Sequence, residues 1–491
     1  MRLNRFLLCG FLSLGVAFAA SPGFPENPKD LKTTIPFGAV VEYLGSIAKP
    51  GVEVREIGRS AGGRPLLLVH MNRGGAKATF RVLWYAQQHG NEVSGKDALM
   101  YLIREYVDHP ERLPEDVDLY VVPVYNPDGA VSNRRTNDAK ADLNRDHLLL
   151  SQPETQAFHR MVSQIQPHLA ADCHEFTRDN EDYRKLGWER WPIITLDSLN
   201  HLLIPQALRE AGLEKVATSA PAMQAAGIPY ARYAVGGPPP EEELRPSTLE
   251  ADDGRNSLGT EGVLSFIIEA GIRREAKDPQ ADLGLRVVAY LKLFDHLLGT
   301  SASRSQLLAL SQQARVEPLP AFIATNAFWG NVQGKVAQVK VVEPASGKIL
   351  EIPTASQMQD VVVKGSVPTP RAYAVEPWAV GALRPLLERH GITFKVLDMS
   401  LRRRLEACRL LRVEPSYDEL YQRYENRQIV MREPMIEREL PVGTMVIDLD
   451  QPMARRAIQV LEPCLLYGLF SYPEFNKLPE PGGRLPILRL F

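Results

Sequence analysis

Between residues 39 and 298 the chain alternates short apolar runs with longer amphipathic segments. Short apolar runs bounded by loop residues favour buried strands, whereas apolar residues three and four positions apart favour helices. This alternation predicts an α/β fold, with helices on both faces of a mixed, mainly parallel sheet. The predicted strands are Phe80–Ala86, Leu119–Val124, His168–Asp172 and Val263–Ile268, and the predicted helices are Gly95–Tyr106, Pro153–Ile165, Leu199–Ala211 and Asp282–Leu298.

The pattern changes after Gly299-Thr-Ser-Ala-Ser303, where strand signals become more frequent than helical ones. At 491 residues the chain is long enough for more than one domain. We therefore predict one domain over residues 20–300 and a smaller α/β accessory domain over residues 301–491. Its predicted strands are Lys335–Val342, Gln359–Lys364, Phe394–Leu397 and Gly443–Leu449, and its predicted helices are Pro377–His390 and Gln451–Leu461.

Polar side chains occur where three of the predicted strands of the first domain end. His89 and Glu92 follow the strand that ends at Ala86, while His174 and Glu269 terminate two later strands. Each alone has an ordinary explanation, such as a solvated helix start or a surface ion pair. Open α/β sheets, however, build their sites at the carboxyl ends of strands. Two histidines, one metal-binding glutamate and a separate glutamate base are the components of a hydrolytic zinc site.

Further motifs lie between these residues, namely Asn126-Pro-Asp-Gly129, Arg134-Arg135 and Asp142-Leu-Asn144-Arg145. The chain resembles the zinc metallocarboxypeptidases, the family typified by pancreatic carboxypeptidase A. The resemblance covers roughly residues 35–300, and the later residues are similar to a C-terminal region that accompanies some exported bacterial members. It rests on six elements in the family's order, which are His89-x-x-Glu92, Asn126-Pro-Asp-Gly129, Arg134-Arg135, Asp142-x-Asn144-Arg145, His174 and Glu269.

The resemblance implies that His89, Glu92 and His174 bind one zinc ion per chain. Zinc with three protein ligands keeps an open position for a water molecule, whose pKa it lowers toward neutrality. Glu269 is then the expected general base, which takes the proton from that water and passes it to the leaving amine. The implied substrate is a peptide or peptide-like molecule.

The same resemblance assigns roles to the residues of the loops. Arg134 or Arg135 would polarise the scissile carbonyl and stabilise its developing negative charge, and we favour Arg134 for this role and Arg135 for substrate binding. Asn144 and Arg145 would bind the terminal carboxylate of the substrate, for which a planar guanidinium is well suited. Asp142 would accept the second ring N–H of His89 and so fix its tautomer.

Two positions depart from the family pattern. The family has a mobile tyrosine about twenty residues before the base, but residues 246–256 of this chain contain none. Tyr230 and Tyr233 are the nearest alternatives, and Arg255 is another possible hydrogen-bond donor. Glu175 follows His174, where the pancreatic enzymes have a small polar residue. A carboxylate there would favour an amine-bearing substrate or orient a neighbour.

The N-terminus has the three parts of a signal peptide. Met1–Arg5 is basic, Phe6–Val16 is apolar, and Ala17-Phe-Ala19 is a small-x-small cleavage site. We expect residues 1–19 to be removed and the mature chain to be periplasmic or secreted, with no membrane span. The alternative is an uncleaved anchor. With 57 basic and 59 acidic residues, nothing in the charge indicates nucleic acid as a partner.

Export permits disulfides, but the chain has only four cysteines, one of them within the signal peptide. Cys173 is adjacent to His174 on a predicted buried strand, so we expect a core residue rather than a ligand. Cys408 and Cys464 are candidates for one bridge in the C-terminal region.

Three functions remain open on the sequence. The first is a zinc exopeptidase that removes C-terminal residues, which the Asn144-Arg145 pair favours. The second is a zinc amidase or deacylase that acts on cell-wall peptides or N-acyl amino acids, since the missing tyrosine and Glu175 leave room for it. The third, a binding protein on an inactive peptidase fold, is disfavoured because all four residues of the zinc chemistry are present.

Overall fold

A computed structural model describes residues 23–331, 336–354, 360–418, 423–478 and 483–491. The predicted signal peptide, residues 1–19, lies outside the described residues. Across the described ranges, no helix has both the length and the apolar content needed to cross a membrane.

Residues 23–316 form an alternating arrangement of strands and helices. The strands are β1 (Val52–Arg59), β2 (Pro65–Asn72), β3 (Phe80–Ala86), β4 (Val117–Val122), β5 (Leu169–Thr177), β6 (Glu189–Arg190), β7 (Ile194–Asp197), β8 (Tyr230–Arg232), β9 (Val235–Gly236), β10 (Leu244–Arg245) and β11 (Leu264–Ile272). The helices are α1 (Phe37–Ser46), α2 (Ser94–Asp108), α3 (Pro127–Ser132), α4 (Pro153–Ile165), α5 (Glu181–Lys185), α6 (Gln206–Ala225), α7 (Gly254–Gly259), α8 (Leu283–Leu298) and α9 (Ser301–Val316).

Eight of these strands form one sheet in the order β1-β2-β4-β3-β5-β11-β7-β8. The four central strands, β4, β3, β5 and β11, are parallel to one another, and β7 and β8 are a second parallel pair. Antiparallel pairs join β1 to β2, β2 to β4, and β11 to β7. The predicted mixed, mainly parallel sheet is therefore confirmed.

Helices cover both faces of this sheet, as predicted. One face packs against α1, α2, α6 and α8, and the other packs against α4 and α7. Side chains alternate between the two faces along each strand. In β5, Ala171 and Cys173 therefore lie in the first core and Ala170 lies in the second. Cys173 is a buried core residue with a free thiol, as expected.

The predicted helix Leu199–Ala211 is wrong in its bounds. Residues 199–205 form a loop, and α6 begins only after Pro205. The loop is held by Asn200, whose side-chain amide donates to Asp197 and Ser247. The predicted strand His168–Asp172 is also too short, because β5 continues through its buried polar residues to Thr177. A pattern of apolar residues alone does not predict the part of a strand in which the buried side chains are polar.

The described residues of the C-terminal region form two further α-helices and mostly antiparallel strands. The strands are β12 (Phe322–Gly330), β13 (Ala337–Glu343), β14 (Lys348–Thr354), β15 (Asp360–Pro368), β16 (Ala372–Val375), β17 (Lys395–Val396), β18 (Leu401–Glu406), β19 (Cys408–Asp418), β20 (Arg423–Arg432), β21 (Ile436–Leu440), β22 (Met445–Asp448) and β23 (Ile487–Leu490). The helices are α10 (Val380–Arg389) and α11 (Ala454–Leu461). The first residues of two predicted strands, Lys335 and Gln359, lie outside the described residues.

Six of these strands form a sheet in the order β17-β22-β16-β23-β18-β21. Its core shares buried leucines with loops of the first half, namely Leu148, Leu149 and Leu203. Helix α9 packs instead on the core of the main sheet, although it follows the predicted boundary at residue 300. Cys408 and Cys464 are free thiols whose Sγ atoms lie 3.8 Å apart.

The two halves are also joined by polar contacts. The guanidinium of Arg456 on α11 is buried and donates to Ser257 and Glu261. His390, which follows α10, bonds through Nε2 to the carbonyl oxygen of Leu148 at 2.7 Å. The C-terminal region therefore packs directly against the half that contains the candidate site.

Candidate metal and catalytic site

A sharp turn at the end of β3 positions the first two candidate ligands. Gln87 has a left-handed backbone with φ of 61°, and its side-chain amide donates to the carbonyl of Gly90 at 2.8 Å. Gly90 lies against the backbone of Gly129, where a Cβ atom would come within 1.9 Å of the Gly129 carbonyl carbon. Only glycine fits such an approach. The turn therefore orients His89 and Glu92 between β3 and α2.

The structure brings the three predicted metal ligands together. Nδ1 of His89 lies 2.9 Å from Oε1 of Glu92, and Nδ1 of His174 lies 2.9 Å from Oε2 of Glu92. The two Nδ1 atoms are 3.1 Å apart, and all three side chains are buried. Donor atoms within 4.8 Å of one another could hold a single ion. Two imidazoles and one carboxylate match the donor set of a catalytic zinc site.

Each histidine has a carboxylate at its other ring nitrogen. Nε2 of His89 lies 3.1 Å from Asp142, and Nε2 of His174 lies 3.0 Å from Asp172. A ring N–H that donates to a carboxylate fixes the tautomer, so that Nδ1 presents its lone pair to a metal. Both imidazoles are therefore prepared to act as ligands through Nδ1.

Sequence reasoning identified Asp142 but missed Asp172. The signal was present, because Asp172 and His174 are two residues apart on one strand and so project from the same face. Asp172 is buried and also accepts a 2.5 Å hydrogen bond from Nε2 of Gln88. That contact links the carboxylate to the loop that carries His89.

Charges within the ligand cluster shift the pKa values of Glu92 and His174. Although burial opposes the change, His89 and His174 hold the pKa of Glu92 well below its usual range. Burial likewise opposes protonation of His174, but Asp172 and Glu92 raise its pKa well above the ordinary value. The close approach of the Glu92 carboxylate to the two imidazoles contributes to both shifts.

The predicted base, Glu269, lies next to the ligands. In the parallel pairing of β11 with β5, Glu269 is directly opposite His174. Burial raises the pKa of Glu269 to about 8, and the negative charge of Glu92 adds to this rise. His174, a hydrogen bond from Tyr233 and the charge of Arg135 act in the opposite direction. A carboxylate with a raised pKa is suited to accept a proton near neutral pH.

Tyr233 is the alternative tyrosine that reaches the site, since its hydroxyl donates to Glu269. The Tyr230 hydroxyl donates instead to the carbonyl of Val216 in the core. Arg255 is fully buried and donates to the backbone of Ser198 and Thr248. Tyr230 and Arg255 therefore stabilise the surrounding structure and form no hydrogen bond with Glu269 in the described part of the chain.

Of the two candidate arginines, the structure places Arg135 beside the cluster. Its guanidinium lies 2.8 Å from Asp142 and 3.7 Å from Glu92, and its side chain is 46% exposed. Arg134, favoured from the sequence, points away and pairs with Asp138 at 2.7 Å. The preference for Arg134 is therefore corrected. The Arg134–Asp138 spacing of four residues could have indicated this local pair.

Asn144 lies beside Nε2 of His174, on the side of the ring away from Glu92, and Arg145 follows it in the chain. The side chain of Asn144 is 3.2 Å from Nε2 of His174 and accepts a hydrogen bond from the backbone N–H of Gly254. Nη1 of Arg145 donates to the carbonyl of Asn144, and its side chain is half-buried. Burial opposes the change, but His89 and Arg135, with a smaller contribution from Arg145, hold the pKa of Asp142 well below its usual range.

Glu175 does not face the site. It projects from the opposite face of β5, is buried, and forms an ion pair with the buried Arg286 of α8. The backbone N–H and hydroxyl of Ser94 at the start of α2 donate to the same carboxylate oxygen. The expectation that Glu175 contacts an amine-bearing substrate is wrong. Glu175 instead orients its neighbours, because it links β5 to Ser94 of α2 and Arg286 of α8.

Comparison with known proteins gives a consistent picture. The family model for zinc carboxypeptidases matches residues 41–179. Carboxypeptidase 2 from Trichophyton equinum is 26% identical over 427 residues, which cover 82% of this chain and 75% of the fungal protein. Carboxypeptidase SOL1 from Arabidopsis thaliana is 30% identical over 136 residues, which cover 24% of this chain and 28% of the plant protein. A solved metallo-carboxypeptidase from Burkholderia cenocepacia shares 20% identity with a TM-score of 0.40, over 52% of this chain and 68% of that one.

The matched segment includes His89, Glu92 and His174 but ends before Glu269. Glu269 is brought to the ligands by the pairing of β11 with β5. Residues 41–179 match the zinc carboxypeptidases, and together with the curated relatives and the assembled ligand group they support a metallopeptidase of the carboxypeptidase type.

Proposed function

We propose that this chain is an exported zinc carboxypeptidase that removes the C-terminal residue of peptides. The observation that carries the proposal is the convergence of His89, Glu92 and His174 with Glu269 one strand away. The family is zinc-dependent, and we propose one zinc ion per chain held by these three ligands. The proposed export rests on the signal-peptide pattern of residues 1–19 alone.

A zinc ion held in this way would supply a water molecule of lowered pKa and polarise the scissile carbonyl. Glu269 would accept the proton and return it to the leaving amine, and burial has already raised its pKa toward neutrality. Tyr233 would orient the Glu269 carboxylate through the hydrogen bond between them.

Arg135 is the residue we propose for the developing negative charge on the carbonyl oxygen. Its guanidinium is held by Asp142 next to the ligand cluster, so the donor is positioned before substrate arrives. Asn144 and Arg145 would bind the terminal carboxylate on the far side of His174. Binding at that point would place the last peptide bond over the cluster.

The amidase or deacylase alternative has lost two of its arguments. Glu175 forms a buried ion pair with Arg286, and the Tyr233 hydroxyl donates a hydrogen bond to Glu269 although residues 246–256 contain no tyrosine. The remaining argument, export, is shared by both functions.

Peptides blocked at the N-terminus, with either a free or an amidated C-terminus, test the proposal when their products are identified by mass spectrometry. We expect loss of one C-terminal residue from the free acids and little reaction with the amides. Removal of metal by a chelator should abolish this activity, and added zinc should restore it. Equal cleavage of free and amidated peptides, or release of the N-terminal blocking group, would contradict the exopeptidase function.

A further inference from the structure

A large cavity opens on the far side of Glu269 from the ligand cluster. Its volume is about 660 Å³, and Thr195 and Tyr233 are among its lining residues. Both contact Glu269, because the Thr195 hydroxyl donates to the Glu269 carbonyl oxygen at 3.2 Å and the Tyr233 hydroxyl donates to the Glu269 carboxylate. The cavity, which we call the distal cleft, therefore borders the candidate site at Glu269.

The C-terminal region builds one wall of the distal cleft. Residues 338–340 of β13 and Ile349 of β14 line the cavity. Strand β13 is fixed there by antiparallel pairing with β6, in which Val341 is opposite Arg190. Aromatic residues also line the cleft, namely Phe176, Tyr183 and Trp191, and the Lys340 ammonium lies over the Trp191 ring at 4.9 Å.

The distal cleft is positively charged. Arg190, Arg232 and Lys340 line it, and the described lining residues include no aspartate or glutamate. Two of these cations are paired outside the lining, Arg232 with Asp197 at 2.8 Å and Lys340 with Glu351 at 3.4 Å. The Lys340–Glu351 pair is largely exposed, so its strength is reduced by solvent.

Arg190 differs from the other two cations. Among the described residues, no carboxylate lies within ion-pair distance of its guanidinium. Its Nη2 donates to the carbonyl of Ala234 at 2.8 Å, and the group lies over the rings of Phe176 and Tyr183 at 5.3 and 5.5 Å. The charge is thus held in place by carbonyls and aromatic faces and is not neutralised by an anion.

The position of the cleft indicates which part of a substrate it meets. Asn144 contacts His174 on β5, whereas the distal cleft lies beyond β11, at β7 and β8. A peptide whose terminal carboxylate is bound at Asn144 and Arg145 would therefore extend past Glu269 into the cleft. The residues that enter are those preceding the scissile bond.

We propose that the distal cleft selects peptides with acidic side chains in the residues before the scissile bond, through Arg190 and Lys340. This inference rests on the proposed exopeptidase function, and it assigns to the C-terminal region a direct part in substrate choice. Aromatic walls would hold the peptide backbone and its apolar groups, while the two cations would bind a carboxylate.

A matched set of N-terminally blocked peptides tests the inference. They have the same free C-terminal residue and differ only in Glu, Gln or Lys at the two positions before the scissile bond. We expect kcat/KM about tenfold higher for Glu than for Gln, with Lys the poorest. The preference should appear mainly in KM and should decrease as salt is raised.

Two lysines of the same hairpin provide the matched variants. Lys340→Gln should reduce the preference for Glu over Gln by about fivefold, because it removes a cation that lines the cleft. Lys348→Gln, the same change on the exposed end of β14 outside the cleft, should leave the preference unchanged. Arg190→Gln should also reduce the preference, and its folding is checked by thermal unfolding.

Binding of the same peptides to Glu269→Gln, measured by fluorescence anisotropy, separates this inference from the proposed function. Tighter binding of the Glu peptide than of the Gln peptide, lost in the double variant with Lys340→Gln, supports the inference even if no peptide is hydrolysed. Equal binding or equal kcat/KM for the Glu, Gln and Lys peptides overturns it, even if the chain proves to be an active carboxypeptidase.

Discussion

Glu269 and His174 are directly opposite each other on the adjacent parallel strands β11 and β5. This register places one proposed base and one proposed ligand on the same face of the sheet. A shift of one residue would turn Glu269 toward α8 and remove it from the cluster. The relative position of base and metal is therefore determined by backbone hydrogen bonds in the most buried part of the sheet.

The Glu175–Arg286 pair predicts a large effect on stability with little effect on specificity. Both side chains are fully buried, so Glu175→Gln leaves a charged guanidinium without its main partner. Loss of one partner of a buried ion pair costs about 3–5 kcal/mol in the free energy of unfolding. Chemical denaturation measures this loss, and Glu53→Gln on the surface is the control, with an expected change of about 1 kcal/mol or less. A change in substrate preference without loss of stability would restore the substrate-binding role of Glu175.

The two neighbouring arginines provide a matched test of charge stabilisation. Arg135→Ala should lower kcat by roughly 10²–10³-fold, as expected for loss of a positioned donor to the carbonyl oxygen. Arg134→Ala removes the same charge one residue away, but only a surface pair with Asp138 is lost, so kcat should change by less than about threefold. Steady-state kinetics with a free-acid peptide distinguish the two. A larger defect in Arg134→Ala would reverse the assignment.

Recognition of the terminal carboxylate is tested by Arg145→Lys. The change keeps the charge but removes the planar pair of donors. We expect a loss of about 2 kcal/mol in transition-state binding of free-acid peptides, roughly thirtyfold in kcat/KM. Zinc content should not change, since Arg145 is not a ligand. An equal loss on amidated peptides would indicate that Arg145 has a structural role and would favour the amidase alternative.

Three buried histidines and the half-buried His201, near the junction of the two halves, predict sensitivity to acid. Burial lowers the pKa of His147, His201 and His390 to about 3, and it holds that of His159 well below its usual value. Because these pKa values are lower in the folded than in the unfolded state, their contribution to stability is complete above about pH 6.5. It is lost as the pH falls from about 6.5 toward 3.

His390→Gln tests the contribution of one histidine to the loss of stability at low pH. Glutamine cannot be protonated in this range but can still donate to the carbonyl of Leu148. Each such histidine contributes about 1.4 kcal/mol per pH unit to the slope of the unfolding free energy below pH 6.5. The variant should therefore show a shallower slope between pH 6 and pH 4 in denaturant titrations. An unchanged slope would mean that His390 is protonated in the folded protein.

The main features of the fold and the metal ligands follow from local sequence signals. Apolar runs such as Phe80–Ala86 mark the strands of a sheet that is buried on both faces, and His89, Glu92 and His174 stand at their ends. Parallel strands bring their carboxyl ends to one edge, so the meeting of these residues can be expected without a structure.

Orientation within loops could not be predicted in the same way. Arg134 and Arg135 are equivalent by composition, and only the turn after α3 decides which of them faces the cluster. The predicted strand ended at Asp172, so Glu175 was expected beside His174 in the site. Because β5 continues to Thr177, the two side chains project from opposite faces of the sheet. The contribution of β13 to the distal cleft depends on pairing between residues about 150 positions apart, for which no local pattern exists.

The central claim is that His89, Glu92 and His174 hold a zinc ion while Glu269 transfers the proton. Zinc content and turnover of wild type, His174→Ala and Glu269→Gln, measured on the same preparations, test it most directly. We predict about one zinc ion per chain in wild type and Glu269→Gln and a clear loss of zinc in His174→Ala. Turnover of Glu269→Gln should fall by about 10³-fold or more despite the retained zinc. Equal zinc in His174→Ala and wild type, or turnover of Glu269→Gln within tenfold of wild type, would contradict the account.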